Sequence, residues 1–147
     1  METNRKPLLL VVDDEPIYLH LLAEALSGDY RVKAATKGVD AITIAQDADK
    51  PDLILLDVIM PGLNGYEVCE MLKQDETTKA IPVIFVTAMG MPDGVARGLD
   101  LGAVDYIPKP INIAETKARV ATHIKLKQLR DQLAKLSDQR IQGRMPS

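Results

Sequence analysis

Short apolar runs punctuate the chain, and most are followed by a helical pattern. Leu8–Val12 is continuously apolar and is closed by Asp13-Asp14-Glu15-Pro16. A run without polar alternation suits a strand buried on both faces. Pro16 fits the first turn of a helix. Ile17, Leu21, Leu22, Ala25 and Leu26 recur at helical spacing until Gly28. Tyr30 to Ala35 alternates like a short strand. Val39 to Ala48 reads as a helix with Ile42 and Ala45 inward. The run Leu53–Leu56 ends in Asp57, and Pro61-Gly62-Leu63-Asn64-Gly65 is dense turn punctuation before a third helix over Tyr66–Lys73. Pro82–Thr87 is a third strong apolar run, rich in β-branched residues that favour a strand. A fourth helix between Asp93 and Leu101 is weakly specified, because Gly90, Pro92, Gly94 and Gly98 disfavour it by ~1 kcal/mol per internal glycine. Val104–Ile107 reads as a fifth strand, and from Ile111 the chain is helix-permissive to about Arg140.

Strands alternating with helices predict an α/β fold. A five-stranded parallel sheet would carry right-handed crossovers and helices on both faces. The 147 residues suffice for one domain. The expected organisation is a domain over 7–124, a helical extension over 125–141 and a frayed tail over 142–147. No apolar run approaches the ~18 residues of a membrane span. No secretory leader pattern opens the sequence. A single cysteine, Cys69, cannot form an internal disulfide. The expected location is the cytoplasm, with no membrane partner. Aromatic residues make up only 3%, without tryptophan, which disfavours a base-stacking surface for nucleic acid. The net charge of −3 is unevenly placed: residues 1–114 carry 10 basic and 18 acidic side chains, residues 115–147 carry 8 and 3. The basic tail reads most simply as a solvated amphipathic helix.

In an open α/β sheet the functional edge lies beyond the carboxyl ends of the strands. Asp13 and Asp14 follow the first strand, Asp57 ends the third, Thr87 ends the fourth, and Lys109-Pro110 follows the fifth. Each alone has a plain structural reading, as a turn residue, a helix cap or a solvated lysine. Together they put three carboxylates, a hydroxyl and an ammonium on one edge. Clustered carboxylates repel, and a divalent cation resolves the conflict. All-oxygen ligands favour Mg²⁺ or Mn²⁺. The set suits phosphoryl transfer to a carboxylate nucleophile.

These motifs carry a resemblance. Val11-Val-Asp-Asp-Glu15, Asp52 to Gly62, Asn64-Gly65, Ile81 to Ala88 and Gly102 to Pro110 stand in the order and spacing of the receiver domain of two-component response regulators. The resemblance covers about Pro7 to Ile124. It implies a flavodoxin-like strand order of 2-1-3-4-5, with Asp57 as the phospho-accepting residue. It also implies Mg²⁺ bound by Asp13, Asp14, Asp57 and the backbone carbonyl of Ile59. Thr87 and Lys109 would contact the phosphoryl group, and Tyr106 would change rotamer as Thr87 moves. The peptide before Pro110 would be cis. The partner implied is a sensor histidine kinase or phosphotransfer protein, and the protein is expected to be a switch rather than an enzyme, catalysing only its own phosphorylation and slow dephosphorylation. Ile59 and Met89, two residues beyond Asp57 and Thr87, are apolar and suggest restricted water access. Cys69 reads as a packed hydrophobe, and His20 and His123 as helix-surface residues.

Past the domain, Leu126, Leu129, Leu133 and Leu136 repeat at heptad spacing. The extension looks like the signalling helix that joins receivers to output domains. A homodimer is expected through this seam and through the face formed by the fourth helix, fifth strand and following helix. The seam's abrupt end in Gly143–Ser147 favours a receiver piece of a longer protein. A phosphorylation-independent interaction module is the alternative function. A haloacid-dehalogenase-type phosphatase would need an acid where Ile59 stands, and a dinucleotide enzyme would need glycines where Asp13-Asp14-Glu15 stand.

Overall fold

The computed structural model describes residues 5–88 and 97–144, with side chains to residue 138. Five parallel strands form one sheet: β1 (Leu8–Val12), β2 (Arg31–Ala35), β3 (Leu53–Asp57), β4 (Val83–Ala88) and β5 (Asp105–Lys109). Their order is β2-β1-β3-β4-β5, as the resemblance implied. The helices are α1 (Pro16–Leu26), α2 (Gly38–Ala45), α3 (Gly65–Gln74) and a C-terminal helix, Ile113–Arg144. Of the helix expected between Asp93 and Leu101, residues 97–100 are helical and the earlier part lies outside the described residues.

The continuous apolar strands are explained by two cores. Side chains alternate across a strand with period two. Leu10, Val12, Ile54, Leu56, Val83 and Phe85 pack on the side of α2 and α3. Leu9, Val11, Leu53, Leu55, Ile84, Val86 and Ile107 pack on the side of α1 and the C-terminal helix.

The strand β5 is longer than its apolar letters suggested and runs through Pro108 to Lys109. As an edge strand it has one unpaired side, where a proline is tolerated. Gly98 has a packing role that propensity alone hides: a Cβ there would lie 2.6 Å from the Phe85 ring.

The face of α1 is rotated from expectation, and the C-terminal helix buries a narrow stripe. In α1, Leu22 and Leu26 are buried while Ile17 and Leu21 are exposed. In the C-terminal helix Thr116, Val120 and Ile124 are buried, whereas Lys117 and Ala121 face outward. That helix continues through Arg144 rather than ending at 141. Every described side chain from Gln128 to Asp138 is exposed, including Leu129, Leu133 and Leu136. Among the described residues, no helix is long and apolar enough to cross a membrane.

Candidate functional site

Strand register brings the acidic residues together. Val12 pairs with Leu56, so Asp13 and Asp57, each one residue further on, stand side by side. Asp57 pairs with Val86, which places Thr87 just beyond it on the next strand. Ala88 pairs with Lys109, and Thr87 with Pro108. Asp13, Asp14 and Asp57 each offer a carboxylate oxygen, and these oxygens lie within 4.8 Å of one another. Lys109 reaches in from β5, with Nζ 2.8 Å from Asp13 Oδ2 and 3.5 Å from Asp57 Oδ1. The four groups are drawn together from three strand ends, as the sequence predicted.

The turn after β3 is held from two sides. The Gly65 N–H donates to the Val58 carbonyl at 2.9 Å. The Asn64 side chain accepts from the Glu67 N–H, and the Glu67 carboxylate accepts from the Asn64 N–H, a reciprocal cap that fixes the start of α3. A helix that begins this sharply ties the Asp57 segment to a rigid element.

Burial dominates the electrostatics. Asp13 is 1% exposed and Asp57 3%. Removal from water, followed by the charge of Asp13, pushes the Asp57 pKa up to about 7, against the opposing pull of Lys109 and the Ile59 N–H. Burial presses the Lys109 ammonium down, but the adjacent Asp13 and Asp57 outweigh it and its pKa lies above the usual lysine value. The Lys109 ammonium, 2.8 Å from Asp13 Oδ2, is the ion-pair partner of this buried oxygen. Asp13 Oδ1 accepts from the Glu15 N–H at 2.9 Å.

Three carboxylates converging at one edge, two of them buried, are the donor set of a hard divalent cation. The residues present therefore fit Mg²⁺, which Asp13, Asp14 and Asp57 could hold. Ile59 is 60% exposed at the rim, and Met89 lies outside the described residues.

Thr87 is buried in β4. Tyr106 is half-buried, pairs with Phe85 across the sheet and packs against the core on the α2–α3 side. The Lys109–Pro110 peptide is cis. Cys69 is fully buried on α3.

Two features escaped the sequence reading. The Tyr18 ring lies under the Lys109 ammonium, 4.0 Å from Nζ to the ring centroid. Its one signal was position, in the first turn of the helix that follows Asp13 and Asp14. His123 is not a free surface residue: its Nε2 lies 3.0 Å from Asp105 Oδ2, and Arg119 holds the other oxygen at 2.6 Å. A lone histidine far from the acidic edge gives no hint of a partner 18 residues away.

Known proteins give a consistent picture. Residues 9–121 match the family model described as the response regulator receiver domain. A probable cyclic di-GMP phosphodiesterase of Vibrio cholerae is 41% identical over 139 residues, which is 94% of this chain and 31% of that protein. The response regulator PleD of Caulobacter vibrioides is 41% identical over 126 residues, covering 85% of this chain and 28% of PleD. The chain thus spans about a third or less of these relatives. The signal receiver domain of a Luxo repressor protein from Vibrio parahaemolyticus superposes with a TM-score of 0.81 at 31% identity, covering 87% of this chain and 97% of that one. The chain belongs to the response regulator receiver domain family, a family of signalling switches in two-component systems.

Proposed function

We propose that the chain is a phosphorylation switch in which Asp57 accepts a phosphoryl group from a histidine kinase or phosphotransfer protein. One observation carries the reading: three carboxylates whose oxygens lie within 4.8 Å, with one lysine ammonium between two of them. A carboxylate oxygen of Asp57 forms the new bond to phosphorus. The bond from phosphorus to the donor imidazole nitrogen breaks, and the donor leaves with the electron pair. A bound Mg²⁺ would supply positive charge to the phosphoryl oxygens. Lys109 supplies a compact, mobile ammonium that can follow charge from the carboxylates to the new phosphoryl oxygens. Thr87, just past the level of Asp57, supplies a hydroxyl donor. The raised pKa of Asp57 means the apo site near neutrality is partly protonated, and neutralising the cluster favours the nucleophilic anion.

The output is a population shift. A phosphoryl group that draws Thr87 inward vacates space that Tyr106 can follow, and β5 with its flanking helices then presents a different face. Leu126, Leu129, Leu133 and Leu136 line one exposed side of the C-terminal helix, which suits pairing with a second copy. The basic extension, the acidic body and the length of the relatives favour transmission into a further domain.

Intact mass after treatment with acetyl phosphate and Mg²⁺, with Asp57→Asn beside the wild type, tests the reading. A single phosphate on the wild type alone, prevented by prior chelation, is expected. No adduct, together with no binding of beryllofluoride to the folded protein, would leave the phosphorylation-independent interaction module as the function.

A further inference from the structure

We propose that Tyr18 is a positioning residue of the phosphoacceptor site, its ring face holding the Lys109 ammonium in place beside Asp13 and Asp57. The inference rests on the reading of Asp57 as the acceptor. The ammonium stands 4.0 Å from the ring centroid, well inside the ~6 Å over which a cation is drawn to a ring face. The same nitrogen is 2.8 Å from Asp13 and 3.5 Å from Asp57. The Lys109 side chain is only 10% exposed, so the attraction acts with little water to screen it.

The ring is placed by the turn that places the acid. Asp13 Oδ1 accepts from the Glu15 N–H at 2.9 Å, and the Glu15 carbonyl accepts from the Tyr18 N–H at 3.1 Å. Two hydrogen bonds thus link Asp13 to the first turn of α1. The Tyr18 backbone is thereby tied to the Asp13 side chain, and the ring starts from a fixed point beside Lys109.

The chemistry of the group matters as much as its place. A lysine stem is flexible, and an ammonium drawn only by exchangeable carboxylate contacts can retreat toward water. An aliphatic wall would strip its hydration and give nothing back. A further carboxylate would hold it but would add negative charge to a site that must admit an anionic phosphodonor. An aromatic face attracts the cation through its quadrupole and adds no net charge. The ring therefore keeps the ammonium within reach of Asp57 while leaving it free to move onto a phosphoryl oxygen.

The full chain is compared as wild type, Tyr18→Phe and Tyr18→Leu. The first readout is the proton shift of the Lys109 side-chain methylenes, assigned with Lys109→Met. A ring face at this distance moves them upfield in the wild type and in Tyr18→Phe, and the shift is lost in Tyr18→Leu. The second is the rate of Mg²⁺-dependent modification by acetyl phosphate. Tyr18→Leu is expected to be slower by roughly three- to tenfold and Tyr18→Phe to stay within about twofold. Tyr18→Met replaces Tyr18→Leu if thermal melting shows that the latter does not fold.

A wild type that is modified no faster than Tyr18→Leu overturns the positioning role. So does a Phe variant as slow as the Leu variant, which would move the effect from the ring to the hydroxyl. Absence of the upfield shift in the wild type overturns the contact itself. A wild type that shows the shift but takes no phosphate overturns the acceptor reading instead, so the two failures are distinguishable.

Discussion

Gly65 stands so close to the end of β3 that a Cβ on it would lie 2.3 Å from the Asp57 carbonyl oxygen and 2.8 Å from the Val58 Cα. Both neighbours are backbone and neither can turn aside. Gly65→Ala is therefore expected to displace the Asp57 segment or the start of α3. The cost should be about 1–3 kcal/mol, as for other overpacked sites. Denaturant melts would show it, with a matching loss of Mg²⁺ affinity by calorimetry. An Ala variant as stable as the wild type would contradict the geometry.

Asp57 makes stability pH-dependent in the absence of metal. Its pKa of about 7 in the folded chain lies above the ordinary carboxylate value near 4. Between these values the folded chain holds a proton that the unfolded chain has lost. Stability from this group is thus full on the acid side and falls as pH rises from about 4 to 7. Asp57→Asn should remove that slope. With chelator present, the variant should exceed the wild type above pH 7 by on the order of 4 kcal/mol, and the two should converge toward pH 4. Saturating Mg²⁺ should narrow the gap at high pH.

Lys109 opposes that upward shift. Lys109→Met should move the Asp57 midpoint above 7, read from the carboxyl carbon signal in an NMR titration without metal. An unchanged midpoint would show that the ammonium does not bear on Asp57.

The exposed leucines test assembly separately from folding. Leu129→Lys with Leu133→Lys removes two side chains that are 45% and 66% exposed. Thermal stability of the monomer should change by less than about 0.5 kcal/mol per site. Sedimentation velocity of the beryllofluoride-treated protein should show a dimer for the wild type and none for the variant. A wild type that stays monomeric with and without beryllofluoride would rule out the leucine seam as a self-association surface.

Asp105 ties the C-terminal helix to β5 through Arg119 and His123. Asp105→Ala should leave the sheet intact but speed amide exchange over residues 117–127. The expected cost is about 1 kcal/mol, since Arg119 is more than a third exposed. Protection unchanged there would mean that Val120 and Ile124 hold the helix without the Asp105 contacts.

Much of this molecule was legible in its letters. Leu8–Val12 and Leu53–Leu56 are apolar at every position, and only a strand covered on both faces rewards that pattern. Once those strands are placed, register does the rest for Asp13 and Asp57. The helix faces were less legible. Ile17 and Leu21 fit an inward stripe by spacing, but Leu22 and Leu26 took the core and left them outside. Hydropathy alone does not fix the rotation of a helix on its sheet. Tyr18 and the Asp105–His123 pair needed the docking of one element on another, which local pattern does not contain.

The C-terminal helix has a mechanical consequence. It is 32 residues long, or about 48 Å. Lys127, 3.3 Å from Asp52, and Arg130, which donates to the Ala80 carbonyl at 3.4 Å, hold it against the body, and the helix runs on to Arg144. The remaining stretch is a rod of about 21 Å with its fulcrum at the body. A 10° tilt at that fulcrum, an assumed angle, would sweep the far end through about 4 Å. Packing adjustments too small to matter inside the domain thus become displacements large enough to engage or separate whatever the rod touches.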